Sequence, residues 1–102
     1  MAYYLVQAKP VQELTTDLHM ILQSGEIRAM RPFGQALQHS LEHARIQEDG
    51  FAIWEEEDYC IPPLAQERNA VLDTYFEELS VERVEQGKGW KQIEHLPGLW
   101  KK

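Results

Sequence analysis

The chain contains a five-residue stretch, His39-Ser40-Leu41-Glu42-His43, that matches the inverted zinc-protease motif H-x-x-E-H. Binding one zinc ion with both histidines requires a helix, because residues four apart on a helix lie about 6 Å from each other. On a strand the same two residues are about 13 Å apart, since each residue advances the chain by ~3.3 Å. On a strand, His39 and His43 would instead line a pocket and move protons near neutral pH without binding a metal.

Four consecutive carboxylates follow this motif, at Glu55, Glu56, Glu57 and Asp58. If they continue a strand, alternation places the odd-numbered pair on one face and the even-numbered pair on the other. Paired carboxylates bind hard cations or hold an acid with a raised pKa, although acidic runs are more often solvated strand ends. Glu55 is the best functional candidate of the four, because it follows Phe51 and Ile53 on the inward side of the run.

The remaining candidates are one thiol and several aromatic side chains. Cys60 precedes a predicted helix whose N-terminus would lower the pKa of the thiol, but no motif supplies a base, and a buried structural role is expected. Four aromatic residues could form the walls of a ligand pocket: Tyr4, Trp54, Tyr59 and Trp90. Gly87-Lys88-Gly89 matches neither the dinucleotide nor the P-loop pattern. The residues therefore predict no metal and no cofactor.

The elements that must position these residues begin with a strand at 3–8, an apolar run ended by Lys9-Pro10. Both of its faces are apolar, which is typical of a strand covered on both sides. From Val11, apolar residues recur at three- and four-residue steps and predict an amphipathic helix. Ser24-Gly25 is its predicted stop, although the apolar spacing leaves open a continuation as far as Arg31-Pro32.

Residues 35–47 fit two periods. As a helix, Leu37, Leu41 and Ala44 form one stripe, whereas on a strand the two histidines share a face with Leu37 and Leu41. Asp49-Gly50, between this run and the apolar run that starts at Phe51, is the strongest short signal for a hairpin. The sequence therefore predicts strands at about 36–47 and 51–57, joined by a tight turn.

A second helix is predicted to open at Cys60-Ile61-Pro62-Pro63, since prolines are tolerated in a first turn. Its predicted buried stripe consists of Leu64, Val71, Leu72, Tyr75, Phe76 and Leu79. Its predicted water-facing residues are Gln66, Glu67, Asn69, Asp73, Glu77 and Glu78. A short strand at 81–85 follows, and then a tail that contains Trp90 and Trp100.

The order strand, helix, strand, strand, helix, strand is that of the ferredoxin-like split βαβ pattern. It predicts an α+β fold in residues 1–86, with two helices on one face of a four-stranded antiparallel sheet and the first and third strands at its centre. Residues 87–102 are predicted to pack on this domain or on a dimer partner. Because the central strands are apolar on both faces, the tail or a second copy must cover the second face, and a homodimer is expected.

In element order and size the chain resembles the dimeric α+β barrel proteins, including the YCII-related and antibiotic-biosynthesis monooxygenase-like groups. The resemblance rests on the Tyr-Tyr-Leu-Val-Gln-Ala strand at 3–8 and on the passage at 75–81. It implies a dimer with a pocket between sheet and helices or inside the barrel. His19 is similar in position to a histidine that pairs with an aspartate in YCII-related proteins, whereas Arg31-Pro32-Phe33-Gly34 does not reproduce that group's glycine-proline-phenylalanine pattern.

Composition limits the classes of partner. With 17 acidic and 10 basic residues the formal charge is −7, which argues against nucleic-acid binding. No stretch approaches the ~20 apolar residues of a membrane span, and the first residues lack the features of a signal peptide. The single cysteine, Cys60, cannot form an internal disulfide, which favours a cytoplasmic location.

Two functions follow as hypotheses. In the first, the protein binds a small molecule in a sheet-face pocket, with or without simple acid/base catalysis by His19, His39, His43 or Glu55. In the second, it is a non-catalytic structural or interaction module whose aromatic tail docks on a partner. Composition does not separate the two, and a fold alone does not specify chemistry.

Overall fold

A four-stranded antiparallel sheet forms the centre of the computed structural model, which describes residues 2–100. Its strands are β1 (Ala2–Pro10), β2 (Arg45–Ile46), β3 (Ala52–Asp58) and β4 (Phe76–Val84). They lie in the order β2-β3-β1-β4. The predicted ferredoxin-like α+β fold is confirmed, and so are the central positions of the first and third strands.

The helices are short and lie mostly between the strands. They are α1 (Thr15–Ser24), α2 (Gly34–Glu42), α3 (Ala65–Glu67), α4 (Asp73–Tyr75) and α5 (Lys88–Ile93). A π turn, Arg68–Leu72, joins α3 to α4, and the three together are the α3–α4 segment. Gly25 ends α1 with a φ of 85°, a left-handed value that favours glycine, so the predicted stop is confirmed. None of the helices within residues 2–100 has the length and apolar character that crossing a bilayer requires.

The strand predicted at about 36–47 is wrong. Residues Gly34–Glu42 form α2, and β2 is reduced to Arg45–Ile46. α2 buries Leu37 and Leu41 in the main core on one side while the two histidines of the same segment stay exposed. Only the helical period separates these apolar and polar residues in that way, so burial of the leucines favours the helix.

The tight turn at Asp49-Gly50 is confirmed. Gly50 has a φ of 90°, and its N–H donates to the carbonyl oxygen of Gln47 at 3.0 Å. β3 starts at Ala52 directly after this turn. The Asp49-Gly50 pair thus predicts the turn correctly, but it does not indicate how long the preceding strand is.

The junction between the second helix and the last strand also differs from the prediction. The helical segment ends at Tyr75, and β4 begins at Phe76 and not at 81. Phe76 and Leu79 therefore belong to the strand, where Phe76 pairs with Pro10 of β1. Because β1 is long and central, its hydrogen-bonding edge draws the whole of Phe76–Val84 into the sheet.

Two hydrophobic cores lie on opposite faces of the sheet. The main core packs α1, α2 and the α3–α4 segment onto one face, around the fully buried Val6 and Trp54. The second core consists of Leu5 and Ile53 from the sheet under Ile93 of α5. The sequence left two possible covers for the second face, the chain's own tail or a second copy of the chain. The structure places α5, which belongs to the tail, on this face. A homodimer stays a prediction.

After α5 the chain returns to the edge of the sheet and to α2. The backbone N–H of Leu99 donates to the carbonyl oxygen of Ala44 at 2.8 Å, next to β2. The indole N–H of Trp100 donates to the carbonyl oxygen of Leu41 in α2 at 2.7 Å. The last described residues thus pack on their own chain.

α2 fills the sheet edge that the short β2 leaves uncovered. β2 pairs only with Ala52 and Ile53, so the rest of β3 lies against α2. The hydroxyl of Ser40 donates to the carbonyl oxygen of Glu55 at 2.7 Å and satisfies an edge acceptor that has no strand partner. α2 therefore packs on the main core with one side and borders the second face of the sheet with another.

Gly34 begins α2 against the loop that follows α1, and a Cβ there would clash with the carbonyl oxygens of Ile27 and Arg28. We expect Gly34→Ala to lower the free energy of unfolding by about 1–3 kcal/mol, because the backbone must shift to make room. Urea denaturation would measure this change. Gln35→Ala, an exposed neighbour in the same helix, should change it by less than about 0.5 kcal/mol. Equal stability of the two variants would contradict the tight contact.

Candidate functional site

The second face of the sheet carries an open cleft of about 600 Å³ between α2, α5 and the adjoining ends of β1 and β3. Its chemically capable side chains are Tyr3, His39, Glu55, Glu57, Tyr59 and Trp90. Small-molecule sites commonly have volumes of about 300–1,000 Å³. The cleft is therefore the candidate ligand site.

Glu55 forms the floor of the cleft and holds the first turn of α5. Its carboxylate accepts backbone hydrogen bonds from Gly87 at 2.9 Å, Gly89 at 2.8 Å and Trp90 at 3.1 Å. The first N–H groups of a helix have no partner within it, and its N-terminal end favours a negative charge. Glu55, the acid that the sequence analysis favours as functional, thus anchors α5 to the sheet and places the ring of Trp90 in the cleft.

Glu57 and two tyrosines form the polar wall of the cleft. Tyr3 lies opposite Glu57 in the register of β1 with β3, and its hydroxyl donates a long hydrogen bond of 3.5 Å to Glu57 Oε2. Desolvation, and then the charge of Glu57, raise the pKa of Tyr3, so this phenol stays protonated at neutral pH. Tyr59 follows β3 and is 72% exposed. The wall thus combines one carboxylate with two phenol rings.

The two histidines of the H-x-x-E-H stretch lie together, His39 in α2 and His43 directly after its last residue, and their separation on a strand is ruled out. Their ring centroids are 4.3 Å apart, because four residues span about one helical turn. His39 lines the cleft and meets the ring of Trp90 edge-on, at a centroid distance of 6.5 Å. His43 lines an adjoining cleft, and its Nδ1 lies 2.8 Å from the carbonyl oxygen of His39. Both side chains are exposed acid/base groups.

The other predicted site residues lie away from the cleft. His19 of α1 stacks on Trp100 with ring centroids 4.7 Å apart. Trp54 is fully buried in the main core, and Tyr4 packs against the same core with the guanidinium of Arg83 5.9 Å from its ring centroid. Tyr4 and Trp54 face the helices because they alternate with the cleft-facing residues of their strands. Of the four predicted pocket walls, Tyr59 and Trp90 line the cleft.

Next to one end of the cleft lies a group of buried acids that we name the acid cluster: Glu56, Asp58 and Glu67. Each is at most 4% exposed. A cavity of about 90 Å³ adjoins Asp58 and Glu67, and its walls include Glu57 and Tyr59, which also line the cleft. The cleft and the acid cluster therefore share one wall.

Asp58 organises the acid cluster. Its Oδ2 accepts backbone hydrogen bonds from Cys60 at 3.0 Å and from Leu64 at 2.6 Å, which shape the loop that leads into α3. The side chains of Asp58 and Glu67 hydrogen-bond to each other, and Cys60 Sγ lies 3.9 Å from Glu67 Oε1. Asp58, Cys60 and Glu67 each offer one donor atom within 4.8 Å of the others, so these three could hold a metal ion.

The pKa values of the acids differ because their surroundings differ. Burial, and then the hydrogen bond to Asp58, raise the pKa of Glu67 from 4.5 to about 7. Burial acts to raise the pKa of Asp58, but hydrogen bonds from Glu67 and the Leu64 N–H outweigh it, and this pKa is lowered. Burial and the charge of Glu67 raise the pKa of Glu56 well above its ordinary value. Near neutral pH, Asp58 and Glu67 thus behave as a carboxyl pair that shares one proton.

The thiol of Cys60 belongs to the same surroundings and is half-buried. A hydrogen bond from the backbone of Gln66 lowers its pKa, but burial and the charges of Asp58 and Glu67 together raise it by more. The pKa of Cys60 is therefore raised, and the thiol is not activated as a nucleophile.

The water-facing position predicted for Glu67 is wrong. Glu67 lies three residues after Leu64 and four before Val71, which is the helical spacing of the buried stripe. This spacing was the signal that could have found it, but the charged side chain favoured an exposed position. Likewise, the alternation that turns Glu55 toward one face turns Glu56 and Asp58 toward the other, which is also buried.

Comparisons of the chain with protein-family models, with curated proteins and with solved structures gave no match. No family is therefore shown for the chain, and its function is argued from the geometry of the cleft and of the acid cluster.

Removing the Glu55 carboxylate should release α5. Glu55→Ala leaves three N–H groups without their acceptor, so we expect the free energy of unfolding to fall by about 1–3 kcal/mol. Hydrogen exchange, followed by mass spectrometry, should become faster across α5. Glu57→Ala is the matched control, because Glu57 lies on the same face and accepts from a side-chain hydroxyl. If α5 were equally protected in both variants, Glu55 would not be its anchor.

The pKa of Glu67 predicts how stability depends on pH. An acid whose pKa rises from 4.5 to about 7 on folding binds more protons in the folded state, so folding stability falls as pH increases through that window. Glu67→Gln removes this ionisation and keeps a hydrogen-bond donor for Asp58. At pH 8 we expect it to be more stable than the unchanged protein by about 1–2 kcal/mol, allowing for solvent screening, and to lose that advantage towards pH 5.

Urea denaturation between pH 5 and pH 8, with a chelator present to keep the acids free of metal, would measure this difference. Glu77→Gln, an exposed position on β4, is the control and should follow the unchanged protein at every pH. A constant stability difference between Glu67→Gln and the unchanged protein would show that Glu67 does not titrate in this window.

Proposed function

We propose that the protein binds a small organic cation in the cleft on the second face of the sheet. The observation that carries this proposal is the lining of the cleft, to which Glu57 contributes a carboxylate and Tyr3, Tyr59 and Trp90 contribute aromatic rings. Neither lysine nor arginine lines the cleft among residues 2–100. The net charge of −7 adds a longer-range attraction for a cation.

The lining suits an amine or a guanidinium attached to an apolar group. An aromatic face attracts a cation within about 6 Å of the ring centroid, with a contribution of about 0.5–2 kcal/mol. A carboxylate adds a charge-assisted hydrogen bond, and the ring of Trp90 offers apolar surface to the rest of the ligand. Because three backbone N–H groups already engage Glu55, Glu57 is the carboxylate left for the ligand.

Acid/base catalysis is a further hypothesis for the same cleft. His39 stands at its margin beside Trp90 with an exposed imidazole, where it would exchange protons with a bound amine. His43 is its neighbour at the C-terminal end of α2, whereas His19 lies outside the cleft. A catalytic role for these residues stays a prediction, and so does the alternative of a non-catalytic interaction module.

The resemblance to the YCII-related and antibiotic-biosynthesis monooxygenase-like groups of dimeric α+β barrel proteins also stays a hypothesis. The strand order supports it. One observation counts against it: α5 packs on Leu5 and Ile53, on the face of the sheet that the sheet of a second subunit would cover in such a dimer. A homodimer and a cytoplasmic location remain predictions, the latter because Cys60 is the single cysteine.

Calorimetric titration with matched pairs of ligands would test cation binding. Phenethylamine and butylguanidinium are suitable probes, compared with phenethyl alcohol and butanol, which have similar apolar groups and no charge. We expect the cations to bind at least about tenfold more tightly than the alcohols, a difference of about 1.4 kcal/mol. Glu57→Gln keeps the size of the side chain and removes its charge, so it should weaken cation binding by a similar factor.

Glu77→Gln, an exposed acid away from the cleft, is the matched control for the loss of one charge. It should bind the cations as the unchanged protein does. Equal affinity for cations and alcohols would contradict the proposal, and so would equal cation affinity in Glu57→Gln and Glu77→Gln.

A further inference from the structure

Among residues 2–100, no lysine or arginine forms an ion pair with the three buried carboxyl groups of the acid cluster. The ion pairs made by residues 2–100 lie elsewhere, at Arg28–Glu42 and Arg68–Asp73. Buried carboxylates are normally paired or coordinate a metal, because an uncompensated charge is costly away from water. The hydrogen bond between Asp58 and Glu67 relieves one part of this cost and leaves Glu56 unaccounted for.

Glu56 is fully buried, and one of its two carboxyl oxygens has no hydrogen-bond partner within residues 2–100. Its Oε1 accepts a hydrogen bond from the indole N–H of Trp54 at 3.0 Å, but no atom of the described residues hydrogen-bonds to its Oε2. Glu56 lies on the same face of β3 as Asp58, two residues away. Among its charged neighbours, Glu67 acts on it most strongly, and Asp58 is next. The unsatisfied oxygen thus belongs to the acid cluster, where a bound metal ion or a ligand of that ion would give it a partner.

The donor atoms of the acid cluster are already close to the spacing of a metal site. Cys60 Sγ lies 3.9 Å from Glu67 Oε1, whereas tetrahedral zinc with its usual bond lengths separates a sulfur and an oxygen ligand by about 3.6 Å. The backbone N–H groups of Cys60 and Leu64 both donate to Asp58 Oδ2 and hold that carboxylate in place. In metal sites, hydrogen bonds of this kind, from groups that do not touch the metal, fix the orientation of the ligating side chains.

We propose that Asp58, Cys60 and Glu67 bind a divalent transition metal of the zinc class. One thiolate and two carboxylates do not suit Ca²⁺ or Mg²⁺, which prefer six or more oxygen ligands. Three protein ligands next to a small cavity match a zinc site that keeps its fourth position open. This site goes beyond the proposed function, because its ligands do not include Glu57 and its test is independent of cation binding.

Metal titration of the full chain would test this site. Protein that carries no metal-binding tag is stripped with a chelator, dialysed, and titrated with Zn²⁺ by calorimetry and with Co²⁺ by absorption spectroscopy. We expect one metal ion per chain, and a thiolate-to-cobalt charge-transfer band that is absent in Cys60→Ser. Glu67→Gln should weaken Zn²⁺ binding by about tenfold or more, since it removes a charged ligand at nearly constant volume.

His39 and His43 form the competing metal site, because they lie about one helical turn apart at the C-terminal end of α2. The variant that carries both His39→Ala and His43→Ala should therefore bind Zn²⁺ as the unchanged protein does. If binding were lost in that variant and kept in Cys60→Ser and Glu67→Gln, the metal would lie on α2 and the proposal would be overturned. It would also be overturned if the unchanged protein bound no Zn²⁺, or if the cobalt complex showed no thiolate band.

Discussion

The hydrogen bonds from the first turn of α5 to Glu55 hold the second face of the sheet together. A helix of six residues has too few internal hydrogen bonds to be stable alone, so α5 depends on this acceptor and on the small core beneath it. Gly89 permits the contact, because a Cβ there would lie 2.8 Å from Glu55 Oε1. With α5 in place, Trp90 stands beside His39 and the cleft has its aromatic side.

The pleat of β3 sorts four neighbouring carboxylates into two environments. Glu55 and Glu57 point to the cleft, where backbone N–H groups, a phenol hydroxyl and solvent stabilise negative charge. Glu56 and Asp58 point into the helix-covered face, where burial favours a shared proton or a bound cation. One acidic run thus supplies both a structural anchor and two separate candidate sites.

The fold could be predicted from the order of the elements, and the site only in part. The apolar runs indicated the two central strands, and the Asp49-Gly50 turn indicated the antiparallel pairing of β2 with β3. The segment that carries His39 and His43 fitted two periods equally well, and the tertiary structure selected the helix because it buries Leu37 and Leu41. The geometry of the two histidines changed with that choice, from far apart to one helical turn.

The sequence by itself determined the α+β class, the central strands, the first helix and the acidic character of the site. It also contained the spacing that buries Glu67, since that residue lies in step with Leu64 and Val71. The tertiary structure alone decided which acids share a proton and what covers the second face. Those outcomes depend on contacts between residues distant in the chain, such as Glu55 with α5, which local periodicity does not encode.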